Sequence, residues 1–179
     1  MRRTISELTI LLCLVVICLS GCFSPNLRYT TTGNVFARAC LEKDAPPLYD
    51  YIKIKLPLNE KSLYFCLKMP DGQIVERTSM TCDGLQKAGF IDIYRGYTAG
   101  YFDENTKKTL DVSHELESHG ATFLFVGDTL MEIRLYSRDV DGVAIGQKDM
   151  EKFYTLPLTQ EALESIFGKP DKITDGTCW

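Results

Sequence analysis

The chain is 179 residues long, with 20 basic and 24 acidic side chains, a formal net charge of −4 and a mean hydropathy of −0.08. That balance offers no basic footprint for nucleic acid, and the length suits one domain that can bury a core without help from metals. The run from Leu8 to Leu19 is apolar almost throughout, but it is only about a dozen residues where a membrane-crossing helix needs roughly 20, so a permanent span is the poorer reading.

Arg2 and Arg3 precede that run and the small pair Ser20 and Gly21 follows it, which makes the three parts of a secretory signal. The tetrad Leu19-Ser20-Gly21-Cys22 resembles the lipobox of bacterial lipoproteins. The resemblance implies cleavage before Cys22, a diacylglycerol on its thiol, and a domain held at a membrane on the periplasmic or outer surface. Cys13 and Cys18 lie within the apolar run, so spacing and not residue type carries this reading. Thr4, Ile5 and Ser6 after the arginines do not resemble a twin-arginine motif, which favours ordinary Sec export. Phe23, where an Asp would favour inner-membrane retention, implies an outer-membrane destination facing the periplasm.

The expected organisation is a signal over 1–21, a lipidated N-terminus and flexible tether over 22–34, and a single globular domain over 35–179. The stretch from Phe23 to Asn34 is rich in Ser, Thr, Pro and Asn, the composition of a tether. Beyond the lipid site, Cys40, Cys66, Cys82 and Cys178 form an even set. In an oxidising compartment that predicts two disulfides in one of three connectivities. No Cys-x-x-Cys occurs among them, so neither zinc-ribbon nor thioredoxin-like chemistry fits the spacing.

In chain order, a short helix is expected around Val35 to Leu41, stopped by Pro46-Pro47. Ile52, Ile54 and Leu56 alternate with Tyr51, Lys53 and Lys55 as in a half-buried strand, and Leu63, Phe65, Leu67 and Met69 repeat the pattern. Pro70-Asp71-Gly72 supplies a turn, so Gln73 to Thr78 can return as a hairpin partner. Thr81 can cap a short helix through Leu85 to Ala88, with Gly89 as its stop. Phe90 to Tyr94 and Tyr97 to Phe102 read as two short strands joined at Arg95-Gly96, and Asp103 to Gly120 as a polar interval.

Ala121 to Val126, Gly127-Asp128 and Leu130 to Tyr136 make the clearest hairpin, with Gly127 at the first position of a II′ turn. Near the end, Thr159 can cap a helix over Gln160 to Phe167. Leu158 and Leu163 are placed as a hydrophobic staple, Leu163, Ile166 and Phe167 share one face, and Gly168 and Pro170 end the helix. Strands dominate without regular β-helix-β alternation, so the expected fold is α+β: an antiparallel sheet with a few short helices packed on one face.

The segment from Leu158 to Asp171, LTQEALESIFGKPD, resembles the helix and Gly-x-Pro exit of small outer-membrane lipoproteins of the SmpA/OmlA type. The resemblance implies a fold similar to the β-lactamase inhibitor protein and action through protein surfaces, in envelope assembly or enzyme inhibition. In that family the helix leads into sheet strands, whereas only a few residues follow Pro170 here. Either the sheet comes from upstream strands or the likeness is local.

The two histidines, His114 and His119, are five residues apart. A zinc protease needs i and i+4 on one helical face, whereas five positions place them about 140° apart on a helix. A looser metal site with Asp111, Glu115 or Glu117 remains an alternative to a solvated polar loop. Asp139-Val140-Asp141-Gly142 begins like a calcium loop, but Val143 stands next and Glu151 falls one place early, so it reads as a turn. No nucleophile elbow, phosphate loop or dinucleotide fingerprint is present, and no catalytic residue, cofactor or metal is expected. Tyr94, Arg95, Tyr97, Tyr101 and Phe102 form an aromatic cluster with the composition of a protein-contact patch, although strand alternation would bury some of them. The expected function is therefore a lipid-anchored, non-catalytic module that binds an envelope protein, with a periplasmic enzyme inhibitor or accessory subunit, or a metal hydrolase on His114 and His119, as rivals.

Overall fold

The computed structural model describes residues 25–31, 34–40, 45–56, 65–94, 100–103, 106–137, 141–147 and 152–177. In chain order the strands are β1 (Pro25–Thr31), β2 (Val35–Cys40), β3 (Leu48–Lys55), β4 (Phe65–Lys68), β5 (Ile74–Glu76), β6 (Ile91–Asp92) and β7 (Gly100–Asp103). They continue as β8 (Lys108–Asp111), β9 (His114–Ser118), β10 (Ala121–Val126), β11 (Thr129–Tyr136), β12 (Ala144–Gln147), β13 (Tyr154–Thr155) and β14 (Lys172–Thr177). Helix α1 (Cys82–Lys87) follows β5, and α2 (Gln160–Phe167) precedes β14. Every pairing between these strands is antiparallel, so the fold is α+β, mostly antiparallel sheet with two short helices among the described residues.

The large sheet has eight strands in the order β14-β1-β2-β3-β11-β10-β9-β6, beside a four-stranded sheet β13-β12-β4-β5 and a two-stranded arm β7-β8. Its inner face follows from period-two burial. Val35, Ala37 and Ala39 of β2, Ile52 and Ile54 of β3, Phe123 and Phe125 of β10, and Ile133 and Leu135 of β11 are fully buried. They join one core with Phe65, Leu67, Val75 and Ile145 of the second sheet, Leu85 of α1, and Leu163, Ile166 and Phe167 of α2. Phe90 meets Phe123 edge-on with centroids 5.1 Å apart, and Tyr29 meets Tyr49 at 5.9 Å.

The punctuation behaves as the sequence leads one to expect. Gly127 takes φ +57°, the sign that a II′ turn requires at its first position, and β10 pairs with β11 across it. Thr81 Oγ1 accepts from the Gly84 amide at 3.1 Å, and Thr159 Oγ1 from Ala162 at 3.3 Å. Gly89 and Gly168 adopt positive φ where the helices end.

Several expectations are corrected. Val35 to Leu41 is not a helix: residues 35–40 form β2, because Val35, Ala37 and Ala39 alternate with Phe36 and Arg38 at the period of a strand. The tether expected over 22–34 gives way at Pro25, where β1 begins and is hydrogen-bonded to β14 on one side and β2 on the other. Polar composition hid the strand; Tyr29 is fully buried and its hydroxyl donates to the Gly168 carbonyl. The polar interval from Asp103 to Gly120 contains β8 and β9, the latter held by one fully buried residue, Leu116, amid charged neighbours. The strands expected at Phe90 to Tyr94 and Tyr97 to Phe102 lie in different sheets: the first is shortened to β6, on β9, and the described part of the second is in β7, on β8. Most of the sheet comes from upstream strands, and residues after the Gly168 to Pro170 exit add β14 to its edge.

Two of the four cysteines of the expected framework have described side chains. Cys66 and Cys82 are not bridged to each other; the Cys66 thiol donates to the Gly146 carbonyl at 3.8 Å within the second sheet. The Cys40 side chain and Cys178 lie outside the described residues, as do Cys22 and the signal.

A candidate binding groove on the outer sheet face

The period-two burial that fills the core also fixes what the opposite face of the large sheet carries. Strand register places Phe36, Lys53, Arg134 and Thr122 in one row across β2, β3, β11 and β10. The next row is Arg28, Arg38, Tyr51 and Tyr136, and on the other side lie Lys55, Glu132, Leu124 and Glu115. Two bulges adjust these rows. Asp50 is the extra residue between the Arg38–Tyr51 and Ala39–Tyr49 pairs, and Met131 the extra one between Leu124–Glu132 and Phe125–Leu130.

The arm β7-β8 closes one side of this face. Tyr101, Val112 and Leu124 form a small second core, with Tyr94, Leu110, Val126 and Met131 packed against it. Between arm and sheet lies a groove of 320 Å³, walled by Tyr101 and Phe102 and floored by Tyr51, Lys53, Lys55, Glu132, Arg134 and Tyr136. A volume of this order lies at the lower end of ligand sites.

The floor is held by aromatic and ionic contacts. The Tyr51 ring stands 5.0 Å from Tyr136 and 6.2 Å from Phe36. The Arg38 guanidinium lies over Tyr51 at 5.3 Å and the Lys53 ammonium over Phe36 at 5.6 Å, distances at which cation–π attraction operates. Glu132 is buried, and its Oε1 accepts from Arg134 Nε at 2.6 Å. Burial alone would lower the Arg134 pKa, but the hydrogen bond and charge of Glu132 raise it. Burial first, then the neighbouring Tyr136, push the Tyr51 phenol up to about 12 against the lowering effect of Arg134 and Arg38. The phenol therefore stays neutral and can donate a hydrogen bond near neutral pH. Arg38 Nε and Asp50 Oδ1 are buried without a hydrogen-bond partner.

The expected aromatic patch is thus divided. Tyr101 is buried in the second core, Phe102 is exposed on the groove wall, Tyr94 is half-buried beneath the arm, and Arg95 and Tyr97 lie outside the described residues. Sequence reasoning missed Phe36, Arg38, Glu132, Arg134 and Tyr136. The signal available was the polar face of the two best-marked strands, on which cations and aromatic rings alternate.

The histidines are placed apart. His114 opens β9, with Nδ1 2.7 Å from Asp92 Oδ2, while His119 occupies the β9–β10 turn at φ +46°, followed by Gly120 at φ +77°, the paired positive φ of a I′ turn. Asp92 Oδ1 also accepts from the amides of Tyr94 at 3.0 Å and Glu115 at 3.3 Å. Burial pushes the Asp92 carboxyl upward, yet the His114 contact and these two amides outweigh it and hold the pKa below the usual range. Asp92 therefore clasps β6 to β9. Among the described residues no group of three or more His, Cys, Asp or Glu is gathered as a metal site. Asp141 stands in a turn, and Asp139 and Val140 lie outside the described residues. The Cys82 thiol is pushed up by burial first, then by Asp92, Asp83 and Asp128, the opposite of what a reactive thiolate needs.

No helix among the described residues is long and apolar enough to cross a membrane. No family model, curated protein or solved structure matches the chain.

Proposed function

We propose that this chain is an exported lipoprotein, lipidated at Cys22, whose globular domain binds another envelope protein through the outer sheet face without catalysing a reaction. The observation that carries the binding half is the groove beneath the β7-β8 arm, whose lining sets Lys53, Lys55 and Arg134 beside the rings of Tyr51, Phe102 and Tyr136. Arg and Tyr supply directional, partly desolvated contacts of the kind concentrated in protein interfaces. The polar groups on its floor are arranged for holding: Glu132 is engaged by Arg134, and Tyr51 is kept neutral by its surroundings.

The anchoring half rests on Leu19-Ser20-Gly21-Cys22 following a signal-like apolar run. An outer-membrane position is the destination proposed from Phe23. The test is expression of the full chain in a lipoprotein-processing host. Intact mass of the membrane-extracted protein should show a diacylglycerol adduct on a product that begins at Cys22, and Cys22→Ser should abolish it. A product beginning at Met1 with an unmodified thiol would overturn the anchoring half. Crosslinking from a photoreactive residue at Phe102 in native membranes should return an envelope protein, and crosslinks to lipid alone would overturn the binding half.

A further inference from the structure

The geometry points to a specific occupant of this groove: an extended, acidic segment of a partner polypeptide, with carboxylates at alternate positions. The inference deepens the binding half of the proposed function and rests on it.

In a chain with more acidic than basic side chains, the outer face of β1, β2, β3 and β11 concentrates Arg28, Arg38, Lys53, Lys55 and Arg134. Register sets Arg28 directly opposite Arg38, and Lys53 directly opposite Arg134. Like charges facing each other across a strand pair destabilise a sheet, and a face shaped for solubility alone would intersperse signs. Two carboxylates share this face and line the groove, Glu132, which is bonded to Arg134, and Glu115 on β9; five cations against two carboxylates leave positive charge in excess. Arg28 and Arg38 lie beside the groove and not in its lining, and the Arg38 guanidinium stands over the Tyr51 ring of the groove floor at 5.3 Å, so the positive charge continues outward along the sheet.

The shape selects among anionic partners. The part of the face that carries Lys53, Lys55 and Arg134 is recessed under the arm and walled by the exposed ring of Phe102, so a flat bilayer surface cannot lie against that part while a single extended segment can. Alternate residues of such a segment repeat at about 6.6 Å, the same spacing that separates outward residues on a strand. A segment along β3 can therefore set one carboxylate near Lys53 and the next toward Arg38, with intervening side chains against Tyr51 and Phe102.

The test uses the full-length protein in neutral detergent and a fluorescein-labelled decapeptide of alternating Glu and Tyr, read by anisotropy. Binding should weaken as NaCl is raised and should fall at least tenfold in the Arg38→Gln/Lys53→Gln double variant. Arg28→Thr should also weaken binding while leaving the melting temperature unchanged or raised, since it removes a repelling pair; a purely structural role would lower it. Equal binding of the alternating Gln and Tyr peptide, or binding unaffected by the double variant, would overturn the inference. Capture by phosphatidylglycerol vesicles with no peptide binding would overturn it too, by assigning the face to a membrane. Failure of the lipid anchor is read separately, from the mass at Cys22.

Discussion

Replacing Glu132 by Gln should move stability and anion affinity in opposite directions. Glu132 is 3% exposed and its carboxylate is bonded to Arg134 Nε at 2.6 Å, and a charge-assisted hydrogen bond contributes about 1.5–3 kcal/mol. Two circumstances reduce the loss: Arg134 is one-third exposed and can turn to water, and the amide oxygen of Gln can still accept. The net destabilisation should be about 1–2 kcal/mol, which for a domain of this size lowers the melting temperature by roughly 3–6 °C. The same change removes a negative charge from a groove floored by Lys53, Lys55 and Arg134, so the acidic peptide should bind more tightly. Thermal unfolding and peptide anisotropy on one preparation measure both. Unchanged stability, or weaker peptide binding in the folded variant, would refute the reasoning that Glu132 acts as the internal counterion of an anion site.

Phe123→Ala removes a fully buried ring that meets Phe90 edge-on and should cost about 3–5 kcal/mol, read by urea denaturation; a loss below about 1 kcal/mol would show that the two faces of β10 have been assigned the wrong way round. The Asp92 carboxyl is held below its ordinary value by His114 and two backbone amides. Its contribution is complete above the unfolded aspartate pKa of about 3.9 and lost as pH falls through the lower folded value. Asp92→Asn should accordingly flatten the stability profile on the acid side, and an unchanged profile would count against the clasp.

Much of this architecture is legible in the residues. Ile52 and Ile54 against Tyr51 and Lys53, and the Gly127-Asp128 hairpin, announce β3, β10 and β11 because one face must be apolar and the turn needs a positive φ. The capped helix α2 is legible for a similar reason: its cap and its apolar face occupy few, local positions. The misses share another cause. β1, β2 and β9 are defined by what they pair with. Arg28 and Glu117 are acceptable in a strand only because neighbouring strands satisfy the backbone, and Leu116 alone anchors the buried side of β9. The groove was half visible: Lys53 and Lys55 could be assigned to the outer face, but their placement beside Glu132 and Arg134 depends on a register between segments far apart in sequence.

The position of β1 has a mechanical consequence. With a lipid on Cys22, only Phe23 and Ser24 intervene before Pro25 enters the sheet, a leash of about 10 Å at full extension. On that proposed anchoring, the globule would have little room to sweep the surrounding space, and tension on the acyl chains would pass into β1, which is hydrogen-bonded to β14 on one side and β2 on the other. A partner would then be met where the bilayer brings it, at the height of the domain itself.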